Sequence, residues 1–168
     1  VTVTAHDQFH NLVNDSTTSV TMSSSSTTMA FDANGDGTYG DNSKTLTNGT
    51  FNITARDTTA ATGVTITATS SNASGTSLGY TINPGPLNHY EVTSTSYSQA
   101  AGIPFTATVT AHDQFHNLVN DSTTSVTTTS SSSTMLFDAN GNGTFGEPGD
   151  NVKVLTAGTF TMPARDTT

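Results

Sequence analysis

The stretch DANGDGTYGDN, from Asp32 to Asn42, places oxygen-bearing residues at alternate positions. Positions 1, 3, 5 and 7 of the calcium-loop pattern D-x-N-x-D-G are filled by Asp32, Asn34, Asp36 and the carbonyl of Thr38. Oxygen donors at this spacing converge on one hard cation, and Asp41 is close enough in sequence to supply a further ligand. The sequence therefore predicts a loop that binds Ca²⁺.

Two features separate this loop from an EF-hand. Position 12 of an EF-hand is a bidentate Glu, whereas Ser43 stands there in this loop, and no helical pattern flanks it. The prediction is therefore a looser calcium loop of the kind carried by extracellular β repeats. The alternative is a plain turn, because Asn34-Gly35 and Asp36-Gly37 are dipeptides that commonly close hairpins.

A second copy of the loop begins at Asp138. Its predicted ligands are Asp138, Asn140, Asn142, Thr144 and Asp150. Asn142 stands where the first loop has Asp36, so one carboxylate is lost, although Glu147 enters with a short insertion before Asp150. Fewer charged ligands usually mean weaker calcium binding, so we expect the second loop to bind less tightly.

The motif HDQFH, at residues 6–10 and again at 112–116, brings two histidines near one aspartate. Histidines four residues apart bind zinc when they share a helix face, but the alternating pattern before His6 predicts a strand. On a strand, His6 and Asp7 point to opposite sides. The favoured interpretation is a turn in which Asp7 or Asn11 bonds its own backbone.

No other stretch has the residues that catalysis needs. The chain has no cysteine, no G-x-S-x-G motif and no Gly-rich loop leading into a helix. We therefore predict that the protein is not an enzyme, has no catalytic residues and uses no cofactor apart from Ca²⁺. With four Lys and Arg residues and a net charge of −9, nucleic acid is excluded as a partner, and no long apolar run predicts direct membrane insertion.

Alternating apolar and polar residues predict the elements that must position these loops. The alternation is clearest at Val1–Ala5, Phe51–Ala55, Val64–Ala68, Leu78–Ile82 and Phe105–Ala111. Each stretch has the period of two of a half-buried strand, with Thr on the outer face of many of them. No stretch of comparable length has a helical apolar stripe, so we predict an all-β chain.

The chain contains a long internal repeat. The segment Thr4–Val20 recurs without a change at Thr110–Val126, an offset of 106 residues. This length fits one immunoglobulin-like β-sandwich. The prolines and glycine of INPGPLNHY break the strand pattern, which predicts two domains: 1–83, lacking its first strand, and 84–168, lacking its last strands.

The stretches VTVTAHDQFHNLVND, LTNGTFNITARDTTAATGVTITATSSNASGTS and YTINPGP resemble bacterial immunoglobulin-like tandem repeats of large surface proteins, including invasin- and intimin-type adhesins. In that family a glycine usually precedes the turn asparagine, whereas His10 and His116 stand there in this chain. The resemblance implies tandem immunoglobulin-like β-sandwiches in an extracellular or cell-surface stalk or fibre, and it brings no catalytic residues.

These observations predict a structural repeat module of an extracellular fibre, stalk or adhesin, stiffened by calcium and partnered by neighbouring copies or repeats. The partial repeats have three open explanations: truncation, a window on a continuous polymer, or completion by a strand from a neighbour. The alternative function is a carbohydrate- or receptor-binding adhesin module, with a surface glycan or receptor as partner. Exposed Tyr90 or Tyr97 would then carry recognition.

Overall fold

The computed structural model describes all residues from Val1 to Thr168 and contains sixteen strands and no helix. No apolar helical segment long enough to span a bilayer is therefore present. The chain divides into two compact units, Val1–Asn83 and Pro84–Thr168, called unit 1 and unit 2 below.

Unit 1 contains ten short strands. In chain order they are β1 (Thr2–Thr4), β2 (Ser19–Ser24), β3 (Ala30–Asp32), β4 (Ser43–Thr45), β5 (Thr50–Asn52), β6 (Thr54–Arg56), β7 (Ala61–Val64), β8 (Ile66–Thr69), β9 (Ser74–Thr76) and β10 (Tyr80–Ile82). Strands β4, β2, β8 and β9 form one four-stranded sheet in that order. The remaining strands pair as β1 with β5, β3 with β6, and β7 with β10.

Unit 2 contains six strands. They are β11 (His89–Ser94), β12 (Phe105–His112), β13 (Ser125–Thr127), β14 (Met135–Phe137), β15 (Val152–Val154) and β16 (Thr159–Asp166). A four-stranded sheet has the order β11, β12, β16, β14, and β13 pairs with β15. All these pairs are antiparallel.

The repeated sequence folds with the same register in both units. Thr2 pairs with Asn52 in unit 1, and Thr108 pairs with Thr161 at the corresponding position of unit 2. Strand β11 has no counterpart in unit 1, and strands β7 to β10 have none in unit 2. The two units therefore share a common central part and differ in the strands that flank it.

Each unit buries the apolar residues that alternate along its strands. The core of unit 1 consists of Val20, Met22, Phe31, Ala33, Leu46, Phe51, Ile53 and Ile66. That of unit 2 consists of Val109, Ala111, Leu155, Phe160 and Met162. The core of unit 1 joins strands of different sheets, and in unit 2 Val126 of β13 packs against core residues of β12 and β16, so the predicted all-β sandwich fold is confirmed.

One predicted strand differs from the structure. The alternation Leu78, Tyr80, Ile82 predicted a half-buried strand, but Leu78 lies before β10 and is 92% exposed. Tyr80 is also exposed, at 41%. Neither residue belongs to the core of unit 1, so the alternation does not mark a buried face here.

Candidate calcium loops and the repeated aspartate turn

The first candidate loop connects β3 to β4 and is organised by Asp32. This side chain is only 5% exposed. Its Oδ1 accepts a hydrogen bond from the amide of Gly35 at 2.7 Å, and its Oδ2 accepts one from the amide of Gly37 at 3.0 Å. Both glycines have positive φ, which turns their amides inward at little steric cost.

The next two predicted ligands bond each other and the loop backbone. Asn34 Oδ1 accepts from the amide of Asp36 at 2.9 Å, and Asn34 Nδ2 donates to Asp36 Oδ2 at 3.2 Å. Asp36 Oδ1 accepts from the amide of Thr38 at 2.7 Å. This last bond is the main reason that the pKa of Asp36 lies below its ordinary value. Asp36 is therefore ionised at neutral pH.

Asp41 closes the first loop. Its Oδ2 accepts from the amide of Asn34 at 3.0 Å, whereas its Oδ1 is buried and has no hydrogen-bond partner. A buried carboxylate oxygen without a donor is costly, and a cation is one group that would satisfy it. The donor chemistry of Asp32, Asn34, Asp36 and Asp41 thus fits Ca²⁺.

The structure does not gather the acidic side chains of either loop into a formed metal cage. No group of three or more His, Cys, Asp or Glu side chains is arranged to hold a metal ion. The calcium loops therefore stay predictions. The alternative of a simple hairpin turn does not hold, because β3 pairs with β6 while β4 pairs with β2. The loop joins strands of two different sheets.

The second loop has the same anchor. Asp138 is 2% exposed and accepts three amide hydrogen bonds, from Gly141 at 2.7 Å, Asn142 at 3.2 Å and Gly143 at 2.9 Å. Asn142 Oδ1 in turn accepts from the amide of Thr144 at 2.7 Å, as Asp36 does from Thr38 in the first loop.

The carboxylates that follow in the second loop are satisfied by protein donors. Asn140 Nδ2 donates to Asp150 Oδ1 at 2.9 Å, and the amide of Glu147 donates to Asp150 Oδ2 at 3.0 Å. Asn142 Nδ2 donates to Glu147 Oε2 at 2.8 Å. Both oxygens of the buried Asp150 therefore have partners, in contrast to Asp41 in the first loop.

The HDQFHN sequences form the predicted turn in both units. Asp7 Oδ1 accepts from the amides of Phe9 at 2.8 Å and Asn11 at 2.9 Å, and its Oδ2 accepts from Asn11 Nδ2 at 3.0 Å. The interpretation of this motif as an aspartate-bonded turn is confirmed. His10 has a φ of 65°, a left-handed conformation that glycine adopts at lower steric cost than other residues.

Asp113 makes the same bonds in unit 2 and one more. Its Oδ1 accepts from the amides of Phe115 and Asn117, and its Oδ2 accepts from Asn117 Nδ2 and from the amide of Gly85 at 2.8 Å. Asp113 is 1% exposed. Burial alone would raise the pKa of Asp113, but hydrogen bonds from Asn117, Gly85 and Phe115 outweigh burial and lower it.

Sequence reasoning missed a histidine cluster in unit 2. The ring of His89 lies 5.7 Å from that of His112 and 4.7 Å from that of His116, between centroids. Glu91 Oε2 lies 3.5 Å from Nε2 of His112. The cluster forms because His89 and His112 are cross-strand partners. The only sequence signal for this cluster was the strand-like segment after Pro86. The register in which that segment pairs with β12 could not be predicted from the sequence.

No protein-family model and no curated protein matches the chain. One solved structure, described as surface layer protein SbsC, domains 4–9, is similar over 99% of this chain and 24% of that chain, at 16% identity and a TM-score of 0.33. The chain thus spans about a quarter of the length of that structure. A similarity this weak assigns neither a family nor a function, and the immunoglobulin-like assignment stays a prediction.

Proposed function

We propose that the chain is a structural repeat module of an extracellular fibre, stalk or adhesin. The observation that supports this most is the folding of one repeated sequence twice, with the same strand register and the same turn. A spacer gains length with each repeat, since every added unit supplies its own core.

The polar surface fits an extended module in solvent. Thr and Ser occupy the exposed positions of strands such as β2, while its buried positions are Val20 and Met22. The net charge of −9 favours solubility and opposes unspecific association between modules. We infer an extracellular or cell-surface location, with neighbouring repeats or copies as the main partners.

Calcium is the second part of the proposal. Asp32, Asn34, Asp36, the Thr38 carbonyl and Asp41 would hold Ca²⁺ in unit 1. Asp138, Asn140, Asn142, the Thr144 carbonyl and Asp150 would hold it in unit 2. A bound cation would neutralise the loop carboxylates and fix the connection between the two strands that the loop joins, which belong to different sheets. Since the ion binds only the folded loop, it would also raise stability by mass action.

Single-molecule force spectroscopy tests the mechanical role. Pulling the chain by its ends should give two separate unfolding peaks, each followed by an extension of up to about 30 nm, since a unit of some 83–85 residues extends to about 3.3–3.6 Å per residue. Calcium should raise the force of both peaks. Extension without peaks would show that the units do not resist load, and it would reject a stalk or fibre role.

A second candidate function is a glycan- or receptor-binding adhesin module. Tyr97 is 83% exposed and lies at a groove of unit 2 that is also lined by Val92, Gln99 and Asp166. An exposed aromatic ring beside polar groups is the kind of surface on which sugars stack. Its test is a glycan array with the Tyr97→Ala chain as control.

A further inference from the structure

Asparagine followed by glycine occurs at four places in the chain. Three of these pairs lie in the candidate calcium loops and one lies in the turn before β5: Asn34-Gly35, Asn140-Gly141, Asn142-Gly143 and Asn48-Gly49. In such a pair the backbone nitrogen of the glycine can attack the side-chain amide of the asparagine, because the glycine has no Cβ to obstruct the approach. The attack closes a cyclic imide and releases ammonia. Since the dipeptide is the same at all four places, the fold decides which pairs react.

The pairs differ first in the room around the glycine. Closing the ring requires the backbone between the two residues to rotate. A Cβ on any of the three loop glycines would have no atom within 4 Å, and the three loop asparagines are exposed. Gly49 is buried, and a Cβ there would lie 2.1 Å from the carbonyl oxygen of Val13. The loop pairs therefore have room to rotate, whereas Asn48-Gly49 is fixed by its neighbours.

The pairs differ also in the group that accepts the glycine N–H. In the second loop the amide of Gly143 donates to Asp138 Oδ2 at 2.9 Å, and the amide of Gly141 donates to Asp138 Oδ1 at 2.7 Å. The attacking nitrogen must lose its proton, and a carboxylate in hydrogen-bond contact can take it up as a general base. The amide of Gly49 donates instead to the backbone carbonyl of Asp15, at 2.7 Å, which is not a base.

The side-chain amides of the loop asparagines are placed to be attacked. The Oδ1 of Asn142 accepts a hydrogen bond from the amide of Thr144 at 2.7 Å. This oxygen becomes negative when the nitrogen adds to Cγ, so the backbone donor stabilises it as in an oxyanion hole. The Oδ1 atoms of Asn34 and Asn140 likewise accept from backbone amides, at 2.9 and 2.8 Å. Each loop asparagine thus combines an activated carbonyl with a glycine amide that contacts a carboxylate.

We propose that Asn34, Asn140 and Asn142 convert themselves to acidic residues without an enzyme. The glycine nitrogen forms a bond to Cγ, and the bond from Cγ to Nδ2 breaks. The proton of the glycine N–H passes through the carboxylate of Asp32 or Asp138 to Nδ2, which leaves as ammonia. Water then adds to the cyclic imide and opens it to aspartate or isoaspartate, and no other reactant is required.

The modification would change the predicted ligands of the calcium loops. Aspartate at position 142 gives the second loop the carboxylate that Asp36 supplies in the first. Conversion at Asn34 or Asn140 adds a further negative charge to its loop, and ligand charge raises calcium affinity. The chemistry itself depends neither on calcium nor on the structural role.

The test follows the four asparagines in the whole chain, incubated at neutral pH with a calcium chelator. Peptide mass spectrometry after digestion, with chromatographic separation of the isomers, measures asparagine, aspartate and isoaspartate at each place. We expect conversion at the three loop asparagines to be at least about tenfold faster than at Asn48, since one placed donor to a developing oxyanion contributes more than this in enzymes. In urea the four pairs lose their contacts and should react at similar rates.

Substitution of the buried aspartate separates the role of its carboxylate from that of loop shape. In Asp138→Asn an amide replaces the proton acceptor, so conversion at Asn140 and Asn142 should fall about tenfold, with Asn34 unchanged as the control. If Asp138 only restrained the loop, its substitution would loosen the loop and speed conversion. Asp32→Asn is the matched variant, which should slow Asn34 alone.

Three results would overturn the proposal: equal rates at Asn48 and at the loop asparagines of the folded chain, no conversion in the folded chain where the chain in urea converts, or faster conversion in both aspartate variants. If one variant failed to fold, the other variant and the comparison with Asn48 would still decide. The proposed function fails separately, because conversion is measured without calcium and requires no fibre.

Discussion

Asp7 and Asp113 lie in turns of identical sequence, yet one carboxylate is exposed and the other is 1% exposed. Both accept the same three hydrogen bonds within the turn. Only Asp113 also accepts from Gly85. The comparison shows that the local sequence fixes the turn itself, whereas a segment distant in sequence decides whether the turn is surface or core.

The two candidate calcium loops also share one local arrangement and differ in the residues that follow it. Their anchors, Asp32 and Asp138, are buried and accept glycine amides in the same way. The loops diverge at the following carboxylates, because Asn140 and Asn142 satisfy Asp150 and Glu147 with amide donors. Asp41 keeps a buried oxygen without a partner. A bound cation would therefore satisfy a buried carboxylate oxygen in the first loop, whereas protein donors already satisfy Asp150 in the second.

The largest expected effect comes from a glycine that both units share. A Cβ at Gly49 would lie 2.1 Å from the carbonyl oxygen of Val13, and one at Gly158 would lie 2.1 Å from that of Val119, both at positive φ. We expect Gly49→Ala to destabilise unit 1 by about 3 kcal/mol or more, since the clash adds to backbone strain. Gly158→Ala should do the same to unit 2. Unit-resolved hydrogen exchange measures both.

Gly35→Ala is the control for this pair, because Gly35 has a φ of +79° but no atom within 4 Å of a Cβ. Only the backbone strain of about 1–2 kcal/mol should remain. Equal losses for Gly49→Ala and Gly35→Ala would show that the close approach to Val13 is not a constraint of the fold.

The second prediction compares the two aspartate turns directly. Asp113→Ala should lower the melting temperature of unit 2 by several degrees, and by more than Asp7→Ala lowers that of unit 1. The reason is that Asp113→Ala leaves the amide of Gly85 without its acceptor in a buried site, in addition to the amides within the turn. Thermal melts followed by unit-specific NMR signals give the two values. Equal shifts would mean that the Gly85 contact contributes nothing.

The third prediction concerns acid. Side-chain hydrogen bonds from Thr18 and Thr124 are the main causes that lower the pKa of Asp15 and of Asp121, and the pKa of Asp7 and of Asp113 is lowered as well. A folded-state pKa below the unfolded value gives stability that is present above the unfolded pKa and is lost as the pH falls through the folded pKa. We expect constant stability from pH 7 to 5 and a decline below about pH 4.

Urea denaturation at about 0.15 M salt, where charge repulsion is screened, measures this profile. Asp121→Asn should flatten the acid decline of unit 2 and leave that of unit 1 unchanged. A chain that gains stability between pH 4 and pH 2 would contradict the assignment of these aspartates.

The fourth prediction concerns the third predicted ligand, which is Asp36 in the first calcium loop and Asn142 in the second. Asp36→Asn should weaken calcium binding in unit 1 by about tenfold, and Asn142→Asp should strengthen it in unit 2 by a similar factor, because ligand charge sets affinity. Isothermal titration of the two variants measures both sites. Unchanged affinities would reject these residues as ligands.

The smallest effect is expected at Tyr97, which is 83% exposed. Tyr97→Ala should change the free energy of unfolding by less than about 0.5 kcal/mol, as is usual at exposed sites. If the role is structural, neither the unchanged chain nor Tyr97→Ala should bind a glycan array above background. Specific glycan binding that Tyr97→Ala abolishes would instead favour the adhesin module.

Much of the fold could be predicted from the sequence, because alternation is a strong local signal. Phe105–Ala111 predicted β12 and its buried Ala107, Val109 and Ala111. The failure at Leu78 has a different origin, since burial of a strand face requires a second layer that only the tertiary fold supplies. Local pattern specifies the strand but not what packs on it.

In the candidate site, too, local contacts could be predicted from the sequence and contacts between distant residues could not. The aspartate turn was predictable because all its bonds span four residues or fewer. The histidine cluster was not, because His89 meets His112 only through the pairing of β11 with β12. The linker contact of Gly85 with Asp113 joins residues 28 positions apart, and nothing in the composition of either segment marks it.

Electron microscopy of the native material, with and without a calcium chelator, tests the central claim most directly. We expect regular filaments or stalks whose axial repeat matches one or two β-sandwich units, and we expect chelation to soften or dissolve them. Isolated particles that do not associate and do not respond to calcium would contradict both the structural role and the assignment of calcium to the loops that begin at Asp32 and Asp138.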